Sequence, residues 1–361
     1  MLAQVRHLRN IAGLTMTLPF TSPIEPMLCD PQVEIPTGEG WVYEPKWDGF
    51  RALPFKEGET VHLCSRNGQP LERYFPEVVA LLQEKIPGDC VLDGELFIPT
   101  ARGLDFETLQ LRIHPAKSRV LKLSQETPAA FVAFDLLALG GEDWRERPFA
   151  ERRAKLLELV PVSQTLFPTP QTADPAVAKD WFNQFEGAGL DGVIARRLEL
   201  PYLPGKRVMV KIKHGRTADC VVGGWRAGKT DNTVGALLLG MYDAEGKLHH
   251  VGHASSFTAK QKKELIDLVK PYEGGTSFGE GRTPGAPSRW SGKKDLSWTP
   301  LRPELVVEVK FDYLQGDRFR HGATFKRWRT DKKPHDCSYD QLAAPHPFDL
   351  DAVIALARST R

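Results

Sequence analysis

The chain of 361 residues is long enough for two domains, since an ordinary domain holds about 100 to 200 residues. Its 48 basic and 46 acidic side chains leave a net charge of only +2, which excludes binding of a polyanion through the overall field and requires a local basic patch instead. No apolar run approaches the roughly 18 residues that span a bilayer, and the five cysteines form no C-x-x-C pair, so we expect a reduced, cytoplasmic protein without a zinc module.

The first twenty residues, which include a second methionine at position 16, are predicted to be an N-terminal extension. Their charges interrupt the apolar stretch that a secretory signal needs. A first domain is predicted over residues 21–214, where short strand-like runs mix with helical stretches and indicate an α+β fold. The strand-like runs are WVYEPK, VHLCS, CVLDGELFI, AFVAFDLLAL, GVIARR and VMVKIK, and the helical stretches are PEVVALLQEKI, ERRAKLLELV and AVAKDWFNQFEGAG.

The character of the chain changes after HGRT at residues 214–217. Short strands with glycine turns and one helix then predict a small β-barrel over residues 215–361. The strands are TADCVVGGWR, GALLLGMYD, KLHHVGHA, ELVVEVKFDYLQ and TFKRWR, and the helix is TAKQKKELIDLVK. Residues 273–303 are rich in Gly, Pro and Ser and longer than most loops of compact domains, so they are predicted to form a mobile insertion.

The segment Lys46-Trp47-Asp48-Gly49 combines an amine, a carboxylate two residues away and a glycine that permits close approach of the backbone. A lysine amine has an ordinary pKa near 10.4, so attack at neutral pH requires burial, a nearby cation or a metal. Pro45 and Gly49 place the lysine where a strand meets a turn. Lys46 is therefore a candidate nucleophile, with an exposed charge at the end of a strand as the alternative.

Acidic residues stand at two strand-like positions. In CVLDGELFI the period of two places Asp93 and Glu95 on one face, where two carboxylates suit sugar hydroxyls or a divalent cation. Asp191 stands before an apolar strand, a suitable place for a Mg²⁺ ligand because that ion needs few protein oxygens besides phosphates and water. The alternatives are a solvated edge strand for the first pair and a turn aspartate before Gly192 for the second.

Phosphates and bases also have candidate partners. Lys211 and Lys213 fall on one side of VMVKIK, where fixed ammonium groups would neutralise adjacent phosphates, although an amphipathic strand shows the same pattern. Phe134 would stack on a planar base or, as is more common for an aromatic residue inside a strand, belong to the core.

A basic stretch lies near the C-terminus, where residues 310–333 hold eight Lys and Arg against three Asp. Aromatic residues are interleaved with these charges, among them Phe311, Tyr313, Phe319 and Phe325. The pattern predicts a surface that binds nucleic-acid phosphates independently of base sequence. A solvated hairpin face is the alternative.

Taken in chain order, these segments resemble the motifs of the covalent nucleotidyltransferase superfamily, and specifically ATP-dependent DNA ligases of the bacterial ligase C type. The resemblance covers nearly the whole chain. It comprises Lys46-Trp47-Asp48-Gly49 (motif I), Ser65-Arg66-Asn67-Gly68 (Ia), Asp93-Gly94-Glu95 (III), Phe134-Asp135 (IIIa), Asp191-Gly192 (IV), Lys211-x-Lys213 (V) and Arg329-Thr330-Asp331-Lys332 (VI). A full set of motifs in the right order is far more specific than any one of them.

The resemblance implies a nucleotidyltransferase domain, ATP-grasp-like with antiparallel sheets and helices, followed by an OB-fold domain. It also implies a monomeric enzyme that uses ATP and Mg²⁺, with Mn²⁺ as the alternative metal, to seal nicks in duplex DNA through a lysyl-AMP intermediate. DNA repair, a nucleoid-associated location and repair proteins as further partners are part of the same expectation. Residues 273–303 would then help to grip the duplex.

By position, the resemblance implies catalytic roles for Lys46, Asp48, Lys211, Lys213, Arg329 and Lys332. Glu44 would accept from the adenine amino group, Phe134 would stack on the adenine and Glu95 would contact the ribose. Arg51 and Arg66 would hold the ribose or the 5′-phosphate of the nick, Lys211 and Lys213 the α-phosphate. Asp191 and Glu95 are the implied metal ligands, and the last motif would orient pyrophosphate after domain closure. Two positions depart from the usual pattern, which has Glu at Asp191 and often Lys at Arg196.

Other functions use related features. RNA ligases and mRNA capping guanylyltransferases share the lysine and the fold, but Glu44 favours adenine and the last motif disfavours RNA ligases without such an OB domain. NAD⁺-dependent ligases have longer chains with a nicotinamide-binding domain and a four-cysteine zinc module. A catalytically silent nucleic-acid-binding protein remains an alternative of another class, and the intact Lys46 argues against it.

Overall fold

The computed structural model describes residues 18–101, 103–278, 284, 297–312, 314–342 and 347–359. The chain forms two compact units, the first made of Met1–Lys213 with Pro345–Arg361 and the second of His214–Ala344. The boundary between the two units at Lys213 falls one residue before the predicted domain boundary at residue 214. Most of the predicted extension, up to residue 17, and most of the predicted insertion at 273–303 lie outside the described residues.

The first unit is built on two mainly antiparallel sheets. Its strands are β1 (Leu28–Gln32), β2 (Trp41–Pro45), β3 (Phe50–Glu57), β4 (Thr60–Ser65), β5 (Cys90–Phe97), β6 (Pro99–Thr100), β7 (Gly103–Leu104), β8 (Ala130–Leu139), β9 (Glu142–Asp143), β10 (Leu166–Pro168), β11 (Gly192–Arg197) and β12 (Arg207–Lys213). One sheet has the order β1-β12-β11-β2, and the other has the order β10-β8-β5-β3-β4 with β9 beside β8. The pairs β1/β12 and β10/β8 are parallel.

Helices cover these sheets. In the first unit they are α1 (Pro76–Lys85), α2 (Phe106–Leu111), α3 (Lys117–Glu126), α4 (Phe149–Leu159), α5 (Pro175–Gln184) and, at the end of the chain, α7 (Leu350–Ser359), while α6 (Ala259–Val269) belongs to the second unit. The start of α5 follows from its sequence, because Asp174 accepts a hydrogen bond from the Ala176 amide at 2.8 Å and Pro175 fits the first turn. Among the described residues no helix is both long and apolar enough to cross a bilayer.

The central strand β8 shows why the larger sheet is stable. Helix α4 packs against it, and of its ten residues only Phe134 and Leu139 are not buried. A strand covered on both faces needs such a largely apolar run, which AFVAFDLLAL supplies apart from Asp135. Phe134 therefore stands out as a partly accessible ring in a buried strand.

The assignment of the last residues to the second domain is wrong. Helix α7 packs in the first unit, where Leu350, Val353 and Ile354 share a core cluster with Trp47 and Phe97. The apolar residues of this helix recur at three- and four-residue spacing and form one stripe, which has to be buried against an apolar surface. The first unit supplies that surface.

The second unit is a barrel of five long strands, and its described residues also form three two-residue strands and one α-helix. Its strands are β13 (Arg216–Ala227), β14 (Val234–Tyr242), β15 (Leu248–Ala254), β16 (Thr299–Pro300), β17 (Val306–Phe311), β18 (Leu314–Gln315), β19 (Arg318–Phe319) and β20 (Thr324–Trp328). The order is β15-β14-β13-β17-β20, and a parallel bridge from Ala254 to Ala323 brings the outer strands together. Helix α6 lies between the third and fourth long strands. This connectivity is that of an OB-fold.

Two aromatic residues of the predicted nucleic-acid-binding stretch belong to the barrel core instead. The rings of Phe311 and Phe319 stack with centroids 4.5 Å apart, and both side chains are buried. Phe325 packs against Phe257 and Trp328. Since alternate residues of a barrel strand point inwards, aromatic residues interleaved with basic ones fill the core while the charges face outwards. Tyr313 lies outside the described residues.

Ile354→Ala should destabilise the first unit by about 2 to 4 kcal/mol, because it leaves a cavity between α7 and its apolar neighbours. Urea unfolding followed by tryptophan fluorescence measures this, since Trp47 and Trp181 lie in the same cluster. Leu121→Ala, at a side chain that is 45% exposed on α3, is the matched control and should leave the midpoint unchanged. Equal midpoints for both variants would contradict the placement of α7.

Candidate active site

Strand pairing brings Lys46 and Asp191 together. Lys46 follows β2 and continues its pairing with β11, since its amide donates to the carbonyl of Gly192 at 2.9 Å and its carbonyl accepts from the amide of Asp191 at 3.0 Å. The Lys46 Nζ lies 2.8 Å from Asp191 Oδ2. On the other side of β11, the register places Lys213 of β12 opposite Gly192, and its Nζ lies 2.6 Å from the same oxygen. Two lysines from neighbouring strands thus flank one carboxylate.

Two glycines permit this arrangement. Gly192 has a φ of +132°, and a Cβ there would lie 2.0 Å from the carbonyl oxygen of Ile212. A Cβ on Gly49 would lie 2.0 Å from the carbonyl oxygen of Leu96, which supports the prediction that this glycine allows close backbone approach. Both positions therefore require glycine for the strands beside Lys46 to pair as they do.

The opposite charges at this site stabilise each other's ionised forms. Burial lowers the pKa of Lys46, but attraction to Asp191, Asp48 and Glu95 exceeds this effect and leaves the pKa above its ordinary value. Burial raises the pKa of Asp191, but Lys46 and Lys213 reverse this and hold the pKa below its ordinary value. Both partners are charged at neutral pH, so the amine has to lose a proton before it can act as a nucleophile.

Trp47, the residue after Lys46, is anchored in the core. Its indole Nε1 donates to Thr169 Oγ1 at 2.9 Å, and its ring stacks on Phe97 with centroids 5.2 Å apart. A buried indole N–H needs such an acceptor. Because adjacent strand residues point to opposite faces, burial of Trp47 directs Lys46 away from the core.

Arg51 is held by Asp93. Its Nε and Nη2 donate to the two carboxylate oxygens at 2.6 and 2.5 Å, and the hydroxyl of Tyr202 donates to Asp93 Oδ2 at 2.6 Å. Asp93 is fully buried and its carboxylate pairs with Arg51, whereas the sequence pattern suggested a ligand of sugar hydroxyls or a divalent cation. The Arg51 guanidinium lies 4.7 Å from the ring centroid of Phe134 and covers one of its faces.

Glu95 lies near the same positive charges. Burial raises its pKa to about 7, against the opposing attraction of Arg51 and Lys46. Lys211 shows the reverse effect, since burial and then repulsion by Lys213 place its pKa below the ordinary value. The predicted residues Lys46, Glu95, Lys211 and Lys213 thus influence one another electrostatically in the first unit.

Glu44 is fixed by an amide and a guanidinium. Gln171 Nε2 donates to Glu44 Oε1 at 3.0 Å, and Arg196 Nη1 lies 3.7 Å from Oε2. The segment that carries Gln171 is tied to β2, because Thr172 and Tyr43 exchange backbone hydrogen bonds of 3.0 and 2.8 Å. Burial raises the pKa of Glu44, and Arg196 is the strongest opposing influence. The carboxylate is held in one orientation two residues before Lys46.

Arg196 belongs to a buried ionic network around Asp135. Arg152 donates to Asp135 Oδ1 and Oδ2 at 2.8 and 3.0 Å, Arg196 Nη2 also donates to Oδ2, and Arg196 Nη1 donates to the carbonyl of Phe134 at 2.8 Å. The Arg196 guanidinium lies 3.6 Å from the ring centroid of Phe149. Arg196 therefore braces the backbone of Phe134 beside Glu44. A planar, forked group suits these simultaneous contacts better than a lysine.

Arg66 lies in a cleft of the first unit. It follows β4 in a turn, and the cleft of about 690 Å³ is also lined by Asn67, Pro23, Glu25 and Gly205. Lys46 is not among the residues that line it. Arg66 supplies this cleft with a positive charge that suits an anionic group.

The two residues of the last motif lie in the second unit. Arg329 Nη1 donates to both carboxylate oxygens of Asp219 at 2.9 Å, and Lys332 Nζ donates to Asp219 Oδ2 at 2.8 Å. Arg329 Nε and Nη2 also donate to the two carboxylate oxygens of Asp331 at 2.9 and 2.8 Å. These two predicted residues are thus brought together within one domain by a single carboxylate.

Comparison with known proteins decides the family. A model of the ATP dependent DNA ligase domain matches residues 26–213, and a model of the ATP dependent DNA ligase C terminal region matches residues 230–332. The chain belongs to the ATP-dependent DNA ligase family. DNA ligase C of Mycobacterium tuberculosis is 49% identical to this DNA ligase over 358 residues, which cover 94% of this chain and 99% of that protein. The resemblance to the bacterial ligase C type is therefore confirmed.

Two further similarities are more distant. The multifunctional non-homologous end joining DNA repair protein LigD of M. tuberculosis is 29% identical over 301 residues, which cover 82% of this DNA ligase and 37% of LigD. A solved structure of a Lig E DNA ligase superimposes with a TM-score of 0.55 and 19% identity, over 84% of this chain and 99% of that one. The second similarity concerns the fold alone and agrees with the predicted nucleotidyltransferase and OB-fold architecture, which is confirmed.

Several residues of the site escaped sequence reasoning. Gln171, Thr169 and Tyr202 lie in segments without a motif and meet Glu44, Trp47 and Asp93 only through the fold. Asp219 carried a signal, because a lone charge in the apolar run TADCVVGG is unusual unless it is paired.

Glu95→Gln should flatten the pH dependence of stability between about pH 4.5 and 7. The folded-state pKa of Glu95 is about 7 and its ordinary value is 4.5. Stability that depends on protonated Glu95 is therefore fully present below the unfolded-state pKa and is lost as the pH rises through the folded one. Glutamine cannot ionise and lacks this loss.

Urea midpoints of both proteins at about pH 5 and about pH 8 give the comparison. Glu84→Gln, at a side chain that is 69% exposed, is the control and should follow the wild type. A Glu95→Gln variant with the wild-type difference between the two pH values would contradict the raised pKa.

Proposed function

We propose that Lys46 is the nucleophile with which this DNA ligase takes AMP from ATP and passes it to a nick. The Lys46 nitrogen bonds to the α-phosphorus of ATP, the bond to the bridging oxygen breaks, and pyrophosphate leaves. The 5′-phosphate oxygen of the nick then attacks the same phosphorus and releases the lysine. Finally the 3′-hydroxyl attacks the 5′-phosphate, and AMP leaves as the strand closes.

The observation that carries this proposal is the position of the Lys46 amine beside Asp191. Its Nζ is fixed 2.8 Å from Asp191 Oδ2, and Lys213 holds the same oxygen from the other side. Phosphoryl transfer depends on positioning and on charges already in place, and this arrangement supplies both. When Asp191 takes another partner, the pKa of Lys46 falls and the amine becomes able to attack.

We further propose Asp191 and Glu95 as ligands of a divalent cation. Carboxylate oxygens are the donors that Mg²⁺ prefers. Within the described part of the chain no group of three or more His, Cys, Asp and Glu side chains forms a ready metal site. The two carboxylates therefore fit Mg²⁺ or Mn²⁺ that takes its other ligands from phosphates and water. Such a cation would neutralise charge that develops on the phosphates.

The adenosine site is proposed around Glu44 and Phe134. Glu44 is oriented by Gln171 and offers an acceptor for an exocyclic amine, which adenine has and guanine lacks at that position. The face of Phe134 that Arg51 does not cover would stack on the base. Glu95 and Arg51 would then contact the ribose.

The phosphates would be contacted by the basic residues that the motifs predicted. Lys211 and Lys213 would hold the α-phosphate, and Asp48 would act through its charge on Lys46. Arg66 would bind the 5′-phosphate of the nick in its cleft. Arg329 and Lys332 would orient the pyrophosphate leaving group in the first step.

We also propose that the nicks sealed by this ligase arise in DNA repair. The support is the similarity to LigD, which is named as a non-homologous end joining DNA repair protein. We expect a monomer that binds nicked duplex DNA, with repair proteins as further partners.

Lys46→Ala should abolish covalent labelling by α-labelled ATP in Mg²⁺ while leaving sealing of a pre-adenylylated nick detectable. The reason is that only the first two steps use the lysine nitrogen. Purified proteins are incubated with the label, denatured and resolved on a gel, after which nicked duplex is added to the labelled wild type. Label on the wild type that does not discharge onto DNA, or equal labelling of both proteins, would contradict the proposal.

Asp191→Asn should slow labelling of Lys46 and raise the Mg²⁺ concentration needed for half-maximal rate by roughly tenfold or more, because one charged ligand is lost. Asp191→Glu keeps the carboxylate and should restore most of the activity. Asp180→Asn, on the exposed face of α5, removes the same charge elsewhere and should have no effect. An unchanged Mg²⁺ dependence of Asp191→Asn would exclude Asp191 as a metal ligand.

A further inference from the structure

Asp219 is a charged residue inside the strand that opens the barrel. It follows Ala218 and precedes Cys220, both of which belong to the core of the second unit, and it is itself only 8% exposed. Burial of an aspartate costs free energy unless the charge is paired and hydrogen-bonded. None of the sequence motifs includes Asp219, so the presence of a buried charge in β13 needs a physical explanation.

The partners of Asp219 are the two cations of the last motif. Arg329 Nη1 donates to both of its oxygens at 2.9 Å, and Lys332 Nζ donates to Oδ2 at 2.8 Å. Because both cations contact the same oxygen, their charged groups lie side by side. One carboxylate thus holds two cations close together, and Arg329 is paired with Asp331 as well.

The backbone of Asp219 is itself held by hydrogen bonds. Gln341 accepts from the amide of Asp219 at 2.8 Å through Oε1 and donates to the carbonyl of Asp219 at 2.8 Å through Nε2. The amide of Arg329 donates to the carbonyl of Val306 at 2.9 Å, on the strand that pairs with β13. Both ends of the Asp219–Arg329 contact are thus fixed to neighbouring strands, so the position of the cations is set before any ligand arrives.

Lys332 keeps capacity for a further contact. A lysine ammonium has three N–H donors, and one of them is used by Asp219 in the described structure. The side chain is 25% exposed, and the hydrogen bond to Asp219 raises its pKa above the ordinary value, so the charge persists at neutral pH. The arrangement offers a localised, permanent cation to an anionic oxygen.

We propose that Asp219 is a positioning residue that assembles Arg329 and Lys332 into one preformed site for the pyrophosphate leaving group of the first step. This inference rests on the proposed function, in which these two cations act on pyrophosphate. Asp219 does not touch the substrate; it holds the two groups that do. The ion pair therefore contributes to the rate of AMP transfer to Lys46 in addition to the stability of the barrel.

Asp219→Asn is the decisive variant, because asparagine has nearly the same shape but lacks the charge and half of the acceptor capacity. The single-turnover rate of Lys46 labelling at saturating ATP should fall roughly tenfold or more, as expected when a positioned group loses its support. Sealing of a pre-adenylylated nick in the absence of ATP should be unchanged. Transfer of AMP from labelled Lys46 to added pyrophosphate, which re-forms ATP, should also slow, since the two directions share one transition state.

Two further variants separate positioning from general effects. Glu308→Gln removes a carboxylate 3.9 Å from Arg329 that accepts its hydrogen bond from Arg327, so it should label at the wild-type rate. Asp219→Glu retains the charge and should recover part of the lost rate. Thermal unfolding of each variant shows whether the barrel is intact.

Wild-type labelling and wild-type pyrophosphate reversal by a folded Asp219→Asn protein would overturn the inference. An equal loss of labelling and of pre-adenylylated nick sealing would also overturn it, because that result indicates a merely structural role. Failure of the wild type to label at Lys46 would instead refute the proposed function, so the two failures are distinguishable.

Discussion

The ion pair between Lys46 and Asp191 is the interaction at the centre of the candidate active site in the first unit. It exists because β2 and β12 pair on either side of β11, and this pairing is possible only if Gly192 has no Cβ against the backbone of Ile212. A slip of one residue would turn every side chain to the opposite face of the sheet. The register of the three strands therefore determines which amine contacts which carboxylate. It also keeps the two groups at a distance that flexible side chains alone would not maintain.

Buried charges around this pair are balanced by close partners. Arg51 is matched by Asp93, and Arg152 and Arg196 share Asp135. An isolated charge in such surroundings would be too costly, but removing one partner of a pair is costly as well, so each pair persists as a unit. This pairing fixes the charged groups of the candidate active site in place, so they do not have to reorient when charge develops nearby.

The second unit contains a similar cluster of paired charges, built from different residues. Its barrel places one carboxylate, Asp219, at the centre of a cationic cluster that includes Arg329 and Lys332. In the first unit a carboxylate is shared by two lysines, and in the second one is shared by an arginine and a lysine. In both cases a single acidic residue contacts two cations and holds their charged groups close together, and fixed cations of this kind suit phosphate groups.

The sequence by itself determined the order of the motifs, the α+β and barrel architectures and most strand positions, because these follow from local periodicity and from residue types at fixed spacing. It also identified Lys46, Asp191 and Lys213 as chemical candidates. Only the tertiary structure decided that α7 packs on the first unit and that Phe311 fills the barrel core. It also decided which distant residues are the partners of the candidate site residues, namely Gln171 for Glu44, Tyr202 for Asp93 and Asp219 for Arg329. These contacts join segments far apart in the chain, and the alternation of a single strand does not tell which face another segment will cover.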